Sequence, residues 1–311
     1  MKALVIALVL AGAACSRADL DAITRVTSDG GPGDGGRSDG ADAAPPITCP
    51  TVALQPGNTA QTIQIAGMNR SYVLHVPAAY DGSKPVPLIL DFHGLGTSGM
   101  FEQMNSSYPA QTDPDGAVMA FPTGLSGPLG AGWNVGPCCV AGVDDVAFAR
   151  AVVADVSASA CIDPKRVYAT GFSMGGGMAY FLACNAADVF AGVAASSFDL
   201  LQDNVGDCLP SRPITVISFR GTGDNLVPYD GGPSSFVPGM PVTFLGAQAT
   251  FQKWAAIDQC AGSASAPDAN GCSTYANCGG GVEVVLCTDQ GGQKQGNAAF
   301  AWPVLKRHPL P

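Results

Sequence analysis

Histidine is nearly absent: the chain of 311 residues has three, His75, His93 and His308. Any chemistry that needs an imidazole must therefore use one of these or do without. Charge is also sparse, with 13% of residues ionisable and only 15 Lys and Arg against 25 Asp and Glu. A formal net charge of −10 excludes the clustered cations that phosphate neutralisation needs, so no nucleic-acid partner is expected. No apolar run is long enough to span a bilayer; the longest, Ala3 to about Ala14, is of secretory-signal length. Metal-ligand spacing is missing too. Cys272 and Cys278 lie too far apart for a zinc knuckle and no histidine lies near, so neither metal nor cofactor is expected.

What is present begins with that leader. After Lys2 and the apolar run come small residues and Cys15, the pattern of a lipobox, which makes Cys15 a candidate for a lipid anchor and the bacterial cell surface or exterior the expected destination. Eleven cysteines minus Cys15 leaves an even set, so up to five disulfides are expected among Cys49, Cys138, Cys139, Cys161, Cys184, Cys208, Cys260, Cys272, Cys278 and Cys287, with the pairing open. Residues 16–46, which contain "SDGGPGDGGRSDGADAAPP", have almost nothing to bury and read as a tether.

The chain is 47% hydrophobic, and residues 47–311 are organised as one domain. "TIQIAG" and "RSYVLHVP" alternate like a hairpin, whereas "VPLILDFHG", "AVMAFPTG", "VYATGFS", "VFAGVAASS", "ITVISFRGTGD" and "VEVVLCT" are short continuous apolar runs of strands covered on both faces. Helical periods separate them, one capped by Asp144 with Val146, Ala149, Val153 and Val156 on a common face, another in "ATFQKWAAIDQC". Strands alternating with helices predict a mostly parallel, doubly covered α/β sheet.

Three stretches carry chemistry. In "VYATGFSMGGGMAYFLAC", Gly171, Ser173 and Gly175 form G-x-S-x-G between an apolar strand and a helix, the setting of a nucleophile elbow. Ser173 is the candidate nucleophile, and the N–H of Met174 would face the oxyanion. "LILDFHGLGTSG" ends a strand at His93-Gly94-Leu95-Gly96, where Leu95 is the candidate second oxyanion donor, Gly96 the next, and His93 a residue that shapes the loop. "VISFRGTGDNLVPYDGG" places Asp224 just past a buried strand and downstream of Ser173, making it the candidate acid, with Asp230 as the alternative.

Those motifs, with "GWNVGPCCVAGVDDVAFARAVV" and "DPKRVYATGFS" between them, resemble the secreted polyhydroxybutyrate depolymerase and feruloyl esterase family of α/β-hydrolases from about Gln64 onward. The resemblance implies an α/β-hydrolase fold and a serine carboxylesterase acting on a polyester or on aromatic acid esters of plant polysaccharide. It also implies Trp133 and Tyr229 as substrate-pocket residues, and disulfides from Cys138 and Cys139 to other strands or loops. It further implies a histidine just after the last strand, in a "GGH" or "GHxWP" context. The chain has Gly291-Gly292-Gln293 there, or alternatively Phe300-Ala301-Trp302-Pro303, and neither holds a histidine. Gln293 is the preferred position of the missing base. A glutamine amide cannot take a proton near neutral pH, so two functions stay open: an esterase of altered activity, or a surface-anchored ligand-binding protein on a hydrolase scaffold.

Overall fold

The computed structural model describes residues 47–234 and 242–311; the expected leader, Cys15 and the tether lie outside them. The first two strands make a hairpin. Strands β1 (Gly57–Ile65) and β2 (Met68–Val76) pair antiparallel around Ala66-Gly67, both at positive φ, the two-residue turn whose twist matches that of its strands.

The continuous apolar runs become the buried strands β3 (Val86–Phe92), β4 (Val118–Pro122), β7 (Ile162–Phe172), β8 (Gly192–Ser196), β9 (Thr215–Gly221) and β13 (Val284–Asp289). Two small hairpins, β5 (Leu125–Gly127) with β6 (Gly130–Gly132) and β10 (Gly232–Pro233) with β11 (Thr243–Phe244), lie outside the main sheet. An edge strand β12 (Cys272–Tyr275) completes a nine-stranded sheet of order β1-β2-β4-β3-β7-β8-β9-β13-β12. From β4 to β13 every neighbour is parallel, whereas β2 and β12 pair antiparallel with the strands beside them.

Because side chains alternate across a strand, the sheet builds two cores. Leu88, Leu90, Val167, Ala169, Val193 and Ala195 point to one face. There they meet α3 (Asp145–Ser159), α4 (Met174–Asn185) and α5 (Ala247–Ile257) through Phe148, Met178, Leu182 and Trp254. Ile89, Met119, Tyr168, Ala194 and Ile217 point to the other, against Trp302 and Leu305 of α6 (Ala298–Leu305). Two shorter helices, α1 (Gly99–Asn105) and α2 (Pro109–Thr112), lie between β3 and β4. Asp144 caps α3 by accepting from Ala147 N. The buried face of α3 is Phe148, Ala149, Val152 and Val156, so the expected stripe is turned: Val146 and Val153 are only half-buried. The reason is tertiary, since the large ring of Phe148 packs beneath the Arg70 guanidinium, 3.9 Å from its centroid, and pulls that side of the helix inward.

All ten cysteines of the domain pair: Cys49–Cys161, Cys138–Cys139, Cys184–Cys208, Cys260–Cys278 and Cys272–Cys287. Cys138 and Cys139 bond to each other, which corrects the expectation of partners on other strands or loops. The remaining eight cysteines are consumed in four bridges of their own. Cys49–Cys161 closes the largest loop, a separation of 112 residues, and ties the start of the domain to the start of β7. Replacing both by serine should lower the free energy of unfolding by about 5 kcal/mol, on the chain-entropy model for a loop of that size. Denaturant unfolding measured against the intact protein checks this.

Candidate active site

Ser173 stands between β7 and α4 at φ 52°, ψ −122°, a conformation that L-residues rarely adopt. Its neighbours explain why the sequence tolerates it. A Cβ on Gly171 would lie 2.3 Å from Gly175 O, and one on Gly175 would lie 1.8 Å from Phe92 O, so both positions flanking the serine must be glycine. The Ser173 N–H donates to Ser196 O at 2.8 Å, tying the elbow to the end of β8. Met174 opens α4, where first-turn N–H groups have no partner within the helix.

The loop after β3 is braced on several sides. The indole of Trp133 donates to His93 O at 2.8 Å, and Gly96 N donates to Ala131 O at 2.7 Å. The Gly96 N–H is therefore taken, which removes it as an alternative to the expected donor Leu95. His93 is fully buried, with Nδ1 2.7 Å from Gly94 O and Nε2 accepting from Gly124 N at 2.9 Å. Only an N–H can face a carbonyl, so His93 is neutral with its proton on Nδ1. Burial also pushes its pKa below the usual range. Both ring nitrogens are committed, and His93 shapes the loop rather than taking protons.

The other two histidines are elsewhere. His75 bonds Asn58 and Asp113 from the β2 hairpin. His308 lies 3.3 Å from Glu283, which precedes β13, so it stands at the end of the parallel sheet opposite to Ser173.

Asp224 is buried just past β9. Its Oδ1 accepts from Leu226 N at 2.9 Å and Val227 N at 3.0 Å, while Oδ2 has no hydrogen-bond partner and lies 3.9 Å from the Arg220 guanidinium. Asp230, the alternative acid, is exposed.

Gln293 sits on the loop after β13, and two bonds fix where. On one side Gly223 N donates to Gly291 O at 2.9 Å, joining this loop to the turn that carries Asp224. On the other, Lys294 N donates to Ser197 Oγ at 3.0 Å, next to the Ser196 carbonyl that holds Ser173. Gln293 is thus bracketed between the turn that carries Asp224 and the strand end that holds Ser173, and its Nε2 is buried without a partner. The rival position is helical: Phe300 to Pro303 lie within α6, where the Trp302 indole bonds Asp115.

Ser173, Leu95, Met174 and Gln293 line one cavity of about 210 Å³. Its walls are mainly apolar, with Phe198 and Phe244 in edge-to-face contact at 5.1 Å between centroids. The paired Cys138 and Cys139 also line it. Trp133 and Tyr229 do not: Trp133 is fully buried under the loop after β3, and the Tyr229 hydroxyl bonds Thr288 Oγ1 at 2.8 Å and accepts from Gln248 Nε2 at 3.0 Å. Both aromatics were expected to touch substrate, and in the structure both make structural hydrogen bonds outside the lining of this cavity. Sequence reasoning missed Glu102, a buried carboxylate on α1 that lines the same cavity. Nothing in its local sequence marks it.

No protein-family model matches the chain. Feruloyl esterase B of Piromyces equi is 42% identical over 247 residues, which span 78% of this chain and 46% of that protein. Feruloyl esterase C of Emericella nidulans is 35% identical over 189 residues, covering 59% of this chain and 64% of that protein. The chain therefore spans roughly half to two thirds of the length of the curated relatives it matches. Among solved structures, an acetyl xylan esterase from Aspergillus awamori superposes with a TM-score of 0.57 at 15% identity, over 80% of this chain and 99% of that one. A second, sOPH, superposes with a TM-score of 0.58 at 18% identity, over 85% and 91%. Strand order, elbow and these likenesses agree: the chain has an α/β-hydrolase fold, and it is similar in sequence to feruloyl esterases.

Proposed function

We propose that this protein is a serine carboxylic ester hydrolase that cleaves esters of aromatic acids, of the kind carried by plant polysaccharides. The observation that carries the reading is Ser173, held at the elbow and opening on an apolar cavity beside the Leu95 and Met174 amides. The 42% identity to a feruloyl esterase supports the substrate class. The cavity suits an acyl group rather than a sugar, because the Phe198 and Phe244 rings offer stacking and edge contacts and few polar groups. In this reading Ser173 Oγ attacks the ester carbonyl, the two amides stabilise the oxyanion, and the alcohol leaves from the open side. Water then hydrolyses the acyl-enzyme. Five disulfides support an oxidising destination, and attachment through Cys15 would hold the enzyme at the cell surface.

Gln293 favours a second reading, a protein that holds ester ligands without turning them over. One experiment separates the two. Incubation with methyl ferulate or 4-nitrophenyl acetate, acid quenching and mass spectrometry should reveal an acyl group on Ser173, absent in Ser173→Ala. Tight ligand binding with no adduct at any time point would sink the esterase reading. A polyester film degraded faster than methyl ferulate would move the substrate class.

A further inference from the structure

With Gln293 in place of an imidazole, some other group must take up the Ser173 proton if the esterase reading holds. Among the described residues that line the cavity, Glu102 is the only ionisable one. It belongs to the first turn of α1, which starts directly after the oxyanion loop, and it is 1% exposed. It is held by Gln295, whose Nε2 donates to Glu102 Oε1 at 2.7 Å. Gln295 is two residues beyond Gln293, so the loop that replaces the base is bonded to this carboxyl. No ion pair to Glu102 occurs among the described residues.

We propose that Glu102 is the general base of this active site, reached from the oxyanion-loop side of the cavity rather than from the loop after β13. This rests on the esterase reading. In the acylation step the Ser173 O–H bond breaks and its proton goes to a Glu102 carboxylate oxygen, while Oγ bonds the ester carbon and the carbonyl electron pair moves onto oxygen. When the tetrahedral centre collapses, that proton passes to the departing alkoxide and the carboxylate is restored. Deacylation repeats the cycle with water in place of serine.

The surroundings set the pH at which such a base operates. Glu102 faces Asp91 of β3, itself held by Ser106 and Thr170, and Tyr108 at the start of α2 adjoins the same acid. Burial first, and then the neighbouring Asp91, push the Glu102 pKa up to about 8, against a smaller opposing effect of the Gln295 N–H. A base must be ionised to act, so activity rises with pH up to about 8 and levels off above it. At neutral pH only the minor, ionised fraction works.

The test uses diethyl 4-nitrophenyl phosphate, which labels an activated serine regardless of the natural ester. Labelling of Ser173 in the full chain is followed by nitrophenolate release and by mass spectrometry from pH 6 to 9.5, with Ser173→Ala as background. The wild-type rate should climb about tenfold per unit at the acid end and plateau above the Glu102 pKa, as for one titrating base. Glu102→Gln should be slower at the plateau by about tenfold or more and flat across the range. Glutamine is isosteric with the protonated acid and keeps an acceptor for Gln295, so this variant should retain the wild-type melting temperature near neutral pH. Gln295→Leu gives an independent reading: removing an N–H that favours the carboxylate should move the midpoint to higher pH. A Glu102→Gln protein that labels with the wild-type profile overturns this proposal alone. Absence of Ser173 labelling in the wild type overturns both this proposal and the esterase reading.

Discussion

Gln293→His should raise kcat on 4-nitrophenyl acetate by about 10²-fold near neutral pH and leave KM little altered, since general-base assistance acts on the chemical step and is worth at least that much. The site is arranged to receive the ring. Position 293 is bracketed by the turn that carries Asp224 and by the strand end that holds Ser173, and Asp224 Oδ2 is buried with no hydrogen-bond partner. An imidazole there can donate Nδ1–H to that oxygen and leave Nε2 free to accept the Ser173 proton. The gain should shrink toward alkaline pH, where Glu102, with its pKa raised to about 8, becomes ionised and supplies a base of its own. Steady-state kinetics between pH 6 and 9 measure both effects. An unchanged kcat at pH 7 would mean that position 293 does not face the nucleophile, and the assignment of the lost base would fail.

The parts of this site legible in the sequence are those in which backbone geometry dictates residue type. Gly171 and Gly175 have to be glycine because Phe92 O and Gly175 O occupy the space of a Cβ, and that constraint leaves a pattern around Ser173 that can be read without coordinates. The loop after β3 and the Asp224 turn are similar, each a short segment at the exit of a buried strand. The parallel sheet was legible because strands covered on both faces lose their alternation. The remainder depends on which surfaces meet. Trp133 looks like a pocket aromatic until its indole is found on His93 O, and the Tyr229 hydroxyl is claimed by Thr288, from a strand 59 residues away in sequence. The Cys138–Cys139 bond was hidden because adjacent cysteines are usually assigned separate partners, and only the pairing of the other eight leaves them to each other. Glu102 was hidden most completely. An acid in the first turn of a helix is ordinarily a surface residue that complements the helix dipole. The bond it makes is to Gln295, 193 residues later in the chain, which no local pattern announces.

The value of Asp224 should depend on what occupies position 293. In the wild type, where no imidazole needs orienting, Asp224→Asn should change kcat by no more than about threefold, because the acid of a triad acts through its histidine. In the Gln293→His background the same substitution should erase the gain, a loss of about 10²-fold. The geometry gives the reason. Asp224 Oδ1 accepts from Leu226 N and Val227 N, so the oxygen of an asparagine stays there and its Nδ2 takes the place of Oδ2. That amide would offer an N–H where the ring needs an acceptor, driving the imidazole to the tautomer with its proton on Nε2. A ring so protonated cannot accept from Ser173. The double-mutant cycle should therefore show a coupling of about 2 to 2.7 kcal/mol between positions 224 and 293, roughly a thirtyfold to hundredfold effect in rate. Asp199 still pairs with Arg220 in either variant, so melting temperatures should confirm that both fold. Equal costs of Asp224→Asn in the two backgrounds would mean that Asp224 does not reach the ring, and Asp224 would then be a turn residue rather than the acid of the site.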